Sequence, residues 1–260
     1  MPPMASEISL TAEKDAVRRI MDGSGLASDG VLIVHSAFRH FSRHGLRAEA
    51  FIEALIDEIP GGTLLMPVMT WRTVTIENPE FDEIKTKSET GVLSEIFRTR
   101  YATARSIHPT HSTAAWGKLA EYFTKDHQRG VTPCPPHSPF GKLGEFDGHI
   151  LMLGVGLETC TAIHCWEEQI APDYYIRPLS EAVIYDCRDR HGQIHKVRAR
   201  RHQRLNRDFP KFAATLRRQG KYREGAIGNG SWQSCKFADL QNTVLAALKE
   251  DPKATVTDIV

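Results

Sequence analysis

Residues 161–167 read Thr161-Ala162-Ile163-His164-Cys165-Trp166-Glu167. On a helix, His164 and Glu167 stand three apart and share a face. A carboxylate beside an imidazole orients the ring and raises its basicity, which is the arrangement of a general-base dyad. Such a base suits an alkyl ammonium, whose pKa near ~10 leaves it unable to attack at neutral pH. The same spacing is also common in solvent-facing ion pairs, so it assigns nothing by itself. Two rival chemistries use the same residues. Cys160 or Cys165 could act as a nucleophile with His164 as its base, but neighbours in sequence on a helix diverge, which disfavours His164 with Cys165. A zinc site could draw on His164, Glu167 and another of the twelve histidines, yet no HExxH-type spacing is present. The expectation is therefore a dyad without metal.

Three further stretches gather polar groups. Val34-His35-Ser36 ends an apolar run. Arg105-Ser106-Ile107-His108-Pro109-Thr110-His111-Ser112 brings together hydroxyls, imidazoles and a guanidinium. His137-Ser138-Pro139-Phe140-Gly141-Lys142-Leu143 adds donors and a cation. Each alone reads as turn chemistry or as the lining of a phosphate-bearing, carbonyl-rich ligand site. Residues 195–223 hold eleven Lys and Arg against Asp208 alone. They read as a solvated face or as a wall that meets an anion. A net charge of +1 and the lack of a binding motif argue against nucleic acid.

The elements that must position these groups follow from hydrophobic pattern. Helices are expected over 6–22, with Ile8 and Leu10 among the apolar residues, and over 47–58, 91–100, 119–127 and 236–249, with another beginning at Thr161 as its cap. Short apolar runs at 30–35, 63–67 and 149–156 read as buried strands. Residues 180–186 and 193–199 straddle Asp189-Arg190-His191-Gly192 as a hairpin. Residues 68–88, 103–116 and 130–142 read as loops or turns. Strand, helix and strand within about 40 residues is the spacing of an α/β unit. His164 follows a glycine-ended strand, where ligands gather in α/β proteins.

A chain of 260 residues, 41% apolar and 25% charged, can bury a full core without disulfides. Five cysteines with no CxxC pair fit a reducing cytoplasm rather than a disulfide framework. The first residues lack the order of a signal peptide, and no apolar run reaches the ~20 residues of a membrane span. A cytoplasmic protein is expected, away from membranes.

Taken in order, VHSAF (34–38), GGTLLMP (61–67), FD…TGVLSEIFR (81–98), RSIHPTHSTAAWG (105–117), SPFGKL (138–143), ILMLGVGLETCTAIHCWEE (150–168) and IGNGS (227–231) resemble the aminoglycoside 3-N-acetyltransferase family. The resemblance spans about residues 30–250. It implies a three-layer α/β/α sandwich around a mixed central sheet, unlike the commoner acetyltransferase (GNAT) fold. It implies a single domain over 1–260, with a small subdomain formed around 68–88 and 172–210. It implies acetyl-CoA as donor, direct transfer to a primary amine of an amino sugar, and no metal. It admits a homodimer. The catalytic pair falls on His164 and Glu167. Coenzyme contacts fall on His35, Ser36, Arg105, Ser106, His108 and Ser112, with Ser138, Phe140 and Thr161. Ser36 and Thr161 are candidates for stabilising the oxyanion. A cationic acceptor calls for carboxylates, expected at Glu77, Asp82 and Glu168. The basic stretch admits a second acceptor class: a nucleotide-linked amino sugar or another anionic amine.

Overall fold

The computed structural model describes residues 5–257, with side chains from residue 12 onward. Ile8 and Leu10, counted above toward the first helix, have side chains outside the described residues. In chain order the elements are α1 (Ala5–Ser24), β1 (Val31–Ser36), α2 (Arg39–Ser42), α3 (Ala48–Glu58), β2 (Thr63–Pro67), β3 (Glu80–Asp82), α4 (Val92–Arg100), β4 (Ala104–Arg105), β5 (Thr113–Gly117), α5 (Ala120–Thr124) and β6 (His149–Leu153). There follow α6 (Ile163–Ile170), α7 (Pro172–Tyr175), β7 (Val183–Arg188), β8 (Ile194–Ala199), α8 (Lys211–Arg218), β9 (Arg223–Ile227), β10 (Gly230–Lys236) and α9 (Phe237–Glu250).

A seven-stranded sheet runs β4-β5-β2-β1-β6-β10-β9. β1 pairs parallel with β2 and with β6, and the outer pairings are antiparallel, so the sheet is mixed. Its layers follow from period-2 alternation. Leu32, Val34, Leu64, Met66, Leu151 and Leu153 turn to one face and pack with Val17 and Ile20 of α1, Phe51 and Leu55 of α3, and Phe97 of α4. Val31, Ile33, Leu65, Ile150 and Met152 turn to the other and pack with Trp166 of α6, Phe212 of α8, and Leu240 and Val244 of α9. Helices therefore cover both faces, and the central strands are apolar through their middles, with polar residues only at their ends. A second, three-stranded sheet, β3-β7-β8, encloses its own small cluster of Val74, Phe81, Tyr185, Cys187, Val197 and Ala199.

Five strands lie where the sequence pattern does not place them. β3 lies inside the loop expected at 68–88, with Phe81 as its buried side chain. β4 and β5 occupy the region expected to be turn; Ala114 and Ala115 are too small to produce a strong strand signal. The β9–β10 hairpin passes unnoticed because its apolar residues are sparse. Gly225 makes room there for Trp232: a Cβ at Gly225 would sit 2.7 Å from the indole nitrogen. Among the described residues, no helix is long and apolar enough to cross a membrane.

Because β1, β2 and β6 are parallel, their carboxyl ends share one edge, which is where open α/β sheets place ligands. The chain leaves β6 through Gly154, at φ +66 with Ala37 O only 2.8 Å from the position of a Cβ. That approach lets Ala37 N donate to Leu153 O at 2.8 Å and clamps the tails of β1 and β6 together.

Candidate active site

A cleft of about 1380 Å³ opens on this edge. His35 and Ser36 reach it from β1, with Ala37 just beyond; Pro67 reaches it from the end of β2, with Met69 following, and Thr161 and His164 from the turn and helix after β6. Arg177, Tyr185, Arg201, His202, Arg204 and Arg207 line the facing wall.

α6 sets the dyad. His164 Nδ1 lies 2.6 Å from Glu167 Oε2, the i,i+3 contact expected on one helix face. Glu167 is fully buried. Its Oε1 accepts the Thr255 hydroxyl at 2.6 Å, and both oxygens accept Arg207 Nε at 3.1 Å. Thr255 also touches the Tyr175 hydroxyl at 2.7 Å, which donates in turn to Pro252 O. Burial opposes ionisation of Glu167; His164, Arg207 and Thr255 outweigh it and hold the carboxyl below its usual range. An ionised Glu167 fixes the His164 proton on Nδ1 and leaves Nε2 as the basic atom.

Thr161 borders the cleft but makes no side-chain cap; His164 N instead donates to the Thr161 carbonyl at 3.0 Å. His35 lies on the cleft floor, where burial lowers its pKa to about 4 and keeps it neutral. Two buried polar atoms in the cleft, His35 Nε2 and Arg207 Nη2, have no protein partner. α4 presents its N-terminus here at Gly91 and Val92, without a side-chain cap, and Arg39 lies nearby. Unpaired donors and a helix N-terminus suit a ligand rich in phosphate and carbonyl oxygens.

Six of the residues expected to touch coenzyme lie outside the cleft. The Arg105 guanidinium is buried over Phe81, binds the carbonyls of Glu83 and Thr86, and donates to Ser112 Oγ at 3.1 Å. The Ser112 hydroxyl donates to Val68 O. Ser106 bonds His127 Nδ1 at 3.0 Å and accepts Thr113 N. His108 Nδ1 accepts the amides of Thr110 and His111, closing the polar turn. Ser138 caps Gly141 N, and Phe140 is fully buried in the core. These groups brace loops around the sheet; a polar or aromatic residue in an ordered turn carries the same sequence signature as one in a site.

The expected acceptor-binding carboxylates also divide. Glu77 lines the cleft. Asp82 instead accepts the amides of Ile84 and Lys85 and closes a turn. Glu168 is buried behind the cleft, 2.9 Å from Cys134 N and 2.8 Å from His202 Nε2. Burial raises its pKa to about 8, so it is a neutral acid at pH 7 and a poor partner for a cation. Nothing in the sequence marks Thr255, Tyr175 or His202 as neighbours of this pair, and Arg207 stands there only as one charge in a basic run.

Ligating atoms of Cys134, Glu168 and His202 lie within 4.8 Å of one another. Glu168 Oε1 is already committed to hydrogen bonds, and burial keeps the Cys134 thiol far above its usual range. The trio therefore reads as a hydrogen-bonded cluster. Cys160 is likewise buried, its thiol pushed up to about 12, which leaves no thiolate for nucleophilic attack.

Comparisons with known proteins agree with this geometry. A family model described as aminoglycoside 3-N-acetyltransferase matches residues 33–249. The aminoglycoside N(3)-acetyltransferase IV of Salmonella sp is 30% identical over 232 residues, 88% of this chain and 84% of that protein. AAC-IIIb, solved as a binary complex with CoASH, superposes with a TM-score of 0.75 at 25% identity, covering 95% of this chain and 98% of its own. A histidine-to-alanine variant of the aminoglycoside acetyltransferase AAC(3)-IVa, solved with a gentamicin, gives 0.74 at 28% identity, covering 92% of this chain and 88% of its own. With a family-model match over residues 33–249 and a relative 30% identical across most of both chains, the chain belongs to the aminoglycoside 3-N-acetyltransferase family.

Proposed function

We propose that this acyltransferase moves an acetyl group from acetyl-CoA to a primary amine of an aminoglycoside-type amino sugar, with His164 as the general base. The observation that carries the reading is the 2.6 Å pairing of His164 Nδ1 with a buried, ionised Glu167 at the edge of the cleft. His164 Nε2 accepts a proton from the ammonium, and Glu167 stabilises the imidazolium that results. Acetyl-CoA supplies the electrophilic thioester carbonyl: the amine nitrogen forms the new C–N bond, the C–S bond breaks, and the CoA thiolate leaves with the proton that His164 accepted. Ser36 and Thr161, which border the cleft, are the hydroxyls we assign to the developing negative charge. His35 Nε2, Arg39 and the N-terminus of α4 are the groups that fit the coenzyme.

A second acceptor class has its own support. Arg201 and Arg204 line the wall beside His164, while Arg177 and several acids there are engaged. Glu158 holds Gly156 N, Glu181 pairs with Arg177 at 3.6 Å, and Glu89 holds Arg72 and Thr73. That balance suits an amine carrying a phosphate or carboxylate. Thiol release from acetyl-CoA, measured with sisomicin, gentamicin, apramycin and a nucleotide-linked amino sugar, separates the two. Turnover of the aminoglycosides is expected; turnover of the nucleotide sugar alone overturns the first acceptor class.

A further inference from the structure

His202 sits in the run Arg200-Arg201-His202-Gln203-Arg204, and nothing in that setting marks it as part of a site. Backbone pairing brings it to the cleft. Arg177 N donates to Arg201 O at 2.9 Å, Gln203 N donates to Tyr175 O at 2.7 Å, and Ile176 and His202 face each other in an antiparallel bridge. The His202 ring then lies flat on His164, with centroids 4.1 Å apart and planes 29° from parallel. The edge of Phe209 closes on the same imidazole at 5.4 Å and 68°. Two consecutive glutamates on α6 thus hold two stacked imidazoles, Glu167 on His164 and Glu168 on His202. Successive helix residues point about 100° apart, so each carboxyl reaches its own ring.

The bond from His164 Nδ1 to Glu167 fixes one atom of the imidazole and leaves the ring free to turn about that bond. A flat neighbour removes that freedom. We propose that His202 is a positioning residue for the base: it holds the His164 ring plane so that Nε2 stays aimed into the cleft. The inference rests on His164 being the base. The stacked ring serves only while uncharged, because a cation there would oppose protonation of His164. The groups facing His202 are His164 and Glu168 from α6, His111 and His108 from the turn before β5, and Arg207 from its own segment. Burial first, then the imidazoles and Arg207, favour its neutral form.

The test compares His202→Ala, His202→Phe and His164→Ala in the thiol-release assay, with the best amine among sisomicin, gentamicin and apramycin. Loss of the ring should lower kcat about 10–100-fold, the scale of a misplaced catalytic group, and leave both KM values within about threefold. His202→Phe keeps a flat face and should recover most of kcat. Should His202→Ala not fold, His202→Leu fills the volume without a flat face and carries the same expectation. Full kcat in a variant without the ring overturns the proposal. So does an equal loss in His202→Phe with a raised amine KM, which would make His202 an acceptor contact. Ring ¹⁵N–¹H spectra of the acceptor-free chain give a second readout. His164 should show one sharp signal in wild type and His202→Phe, and a broadened or split one in His202→Ala; an unchanged signal there overturns the proposal. A slow His164→Ala beside a fast His202→Ala refutes only the positioning role. A fast His164→Ala refutes the base itself.

Discussion

Replacing Glu167 by Gln tests the base through its orienting partner while preserving shape. The carboxylate now accepts three donors: the Thr255 hydroxyl, Arg207 Nε and His164 Nδ1–H. A glutamine has one acceptor oxygen. Thr255 lies on the Oε1 side, and Arg207 Nε, which can only donate, stands 3.1 Å from both oxygens, so an amide oxygen turned toward Thr255 serves both donors. The amide NH₂ then faces His164 at the position of Oε2, 2.6 Å away in the wild type. It can only donate, which forces Nδ1 to accept and moves the ring proton to Nε2. The nitrogen facing the amine is then no longer a base. The expected loss is the full worth of general-base catalysis, about 10²–10⁴-fold in kcat, or about 3–5 kcal/mol of barrier. Initial rates of thiol release report it, with acetyl-CoA affinity measured by calorimetry to show that the cleft is intact. Glu167→Gln at more than half the wild-type rate, properly folded, would refute the tautomer argument.

Other outcomes follow from where the remaining residues sit. Phe140→Ala should lose about 3–5 kcal/mol of stability, as for other buried aromatic truncations, while acetyl-CoA KM stays unchanged in folded protein; chemical denaturation and steady-state kinetics check the two halves. Arg105→Lys should likewise lower Tm and spare KM, because the guanidinium links β4 to the carbonyls of residues 83 and 86. Glu168 has a folded pKa raised to about 8 by burial, against about 4.3 when unfolded. Its contribution is fully present below the unfolded value and is lost as pH rises toward 8, by at most about 1.4 kcal/mol per pH unit. Thermal melts from pH 5 to 9 should therefore show a flatter profile for Glu168→Gln than for wild type; parallel curves would contradict this. Cys165→Ser should stay active, since direct transfer needs no acyl-cysteine, and mass spectrometry after exposure to acetyl-CoA should find no acetylated cysteine.

β1, β2 and β6 were legible because strands buried on both faces must be apolar through their middles. The β7–β8 hairpin was legible because Gly192 adopts φ +87 in its turn. The His164–Glu167 pair was readable because a helix turns three residues into neighbours. The rest of its support was not, since Arg207 and Thr255 stand 40 and 88 positions from Glu167 and only the tertiary fold brings them in. Arg105, Ser106, His108 and Ser112, expected at the coenzyme, bond within their own loops, and the sequence hides this for a related reason. A buried polar side chain must be satisfied, and the sequence shows the polar group without showing whether backbone or ligand satisfies it.

The pH–rate profile of His164→Ala tests the central claim most directly. Without a base, only amine that is already deprotonated reacts. With an ammonium pKa near ~10, the variant's rate should rise about tenfold per pH unit between pH 7 and 9, starting about 10²–10⁴-fold below wild type. Wild type should change far less over the same range. A His164→Ala rate close to wild type at pH 7, or a deficit that does not shrink as pH rises, would contradict the assignment of His164 as the group that takes the proton.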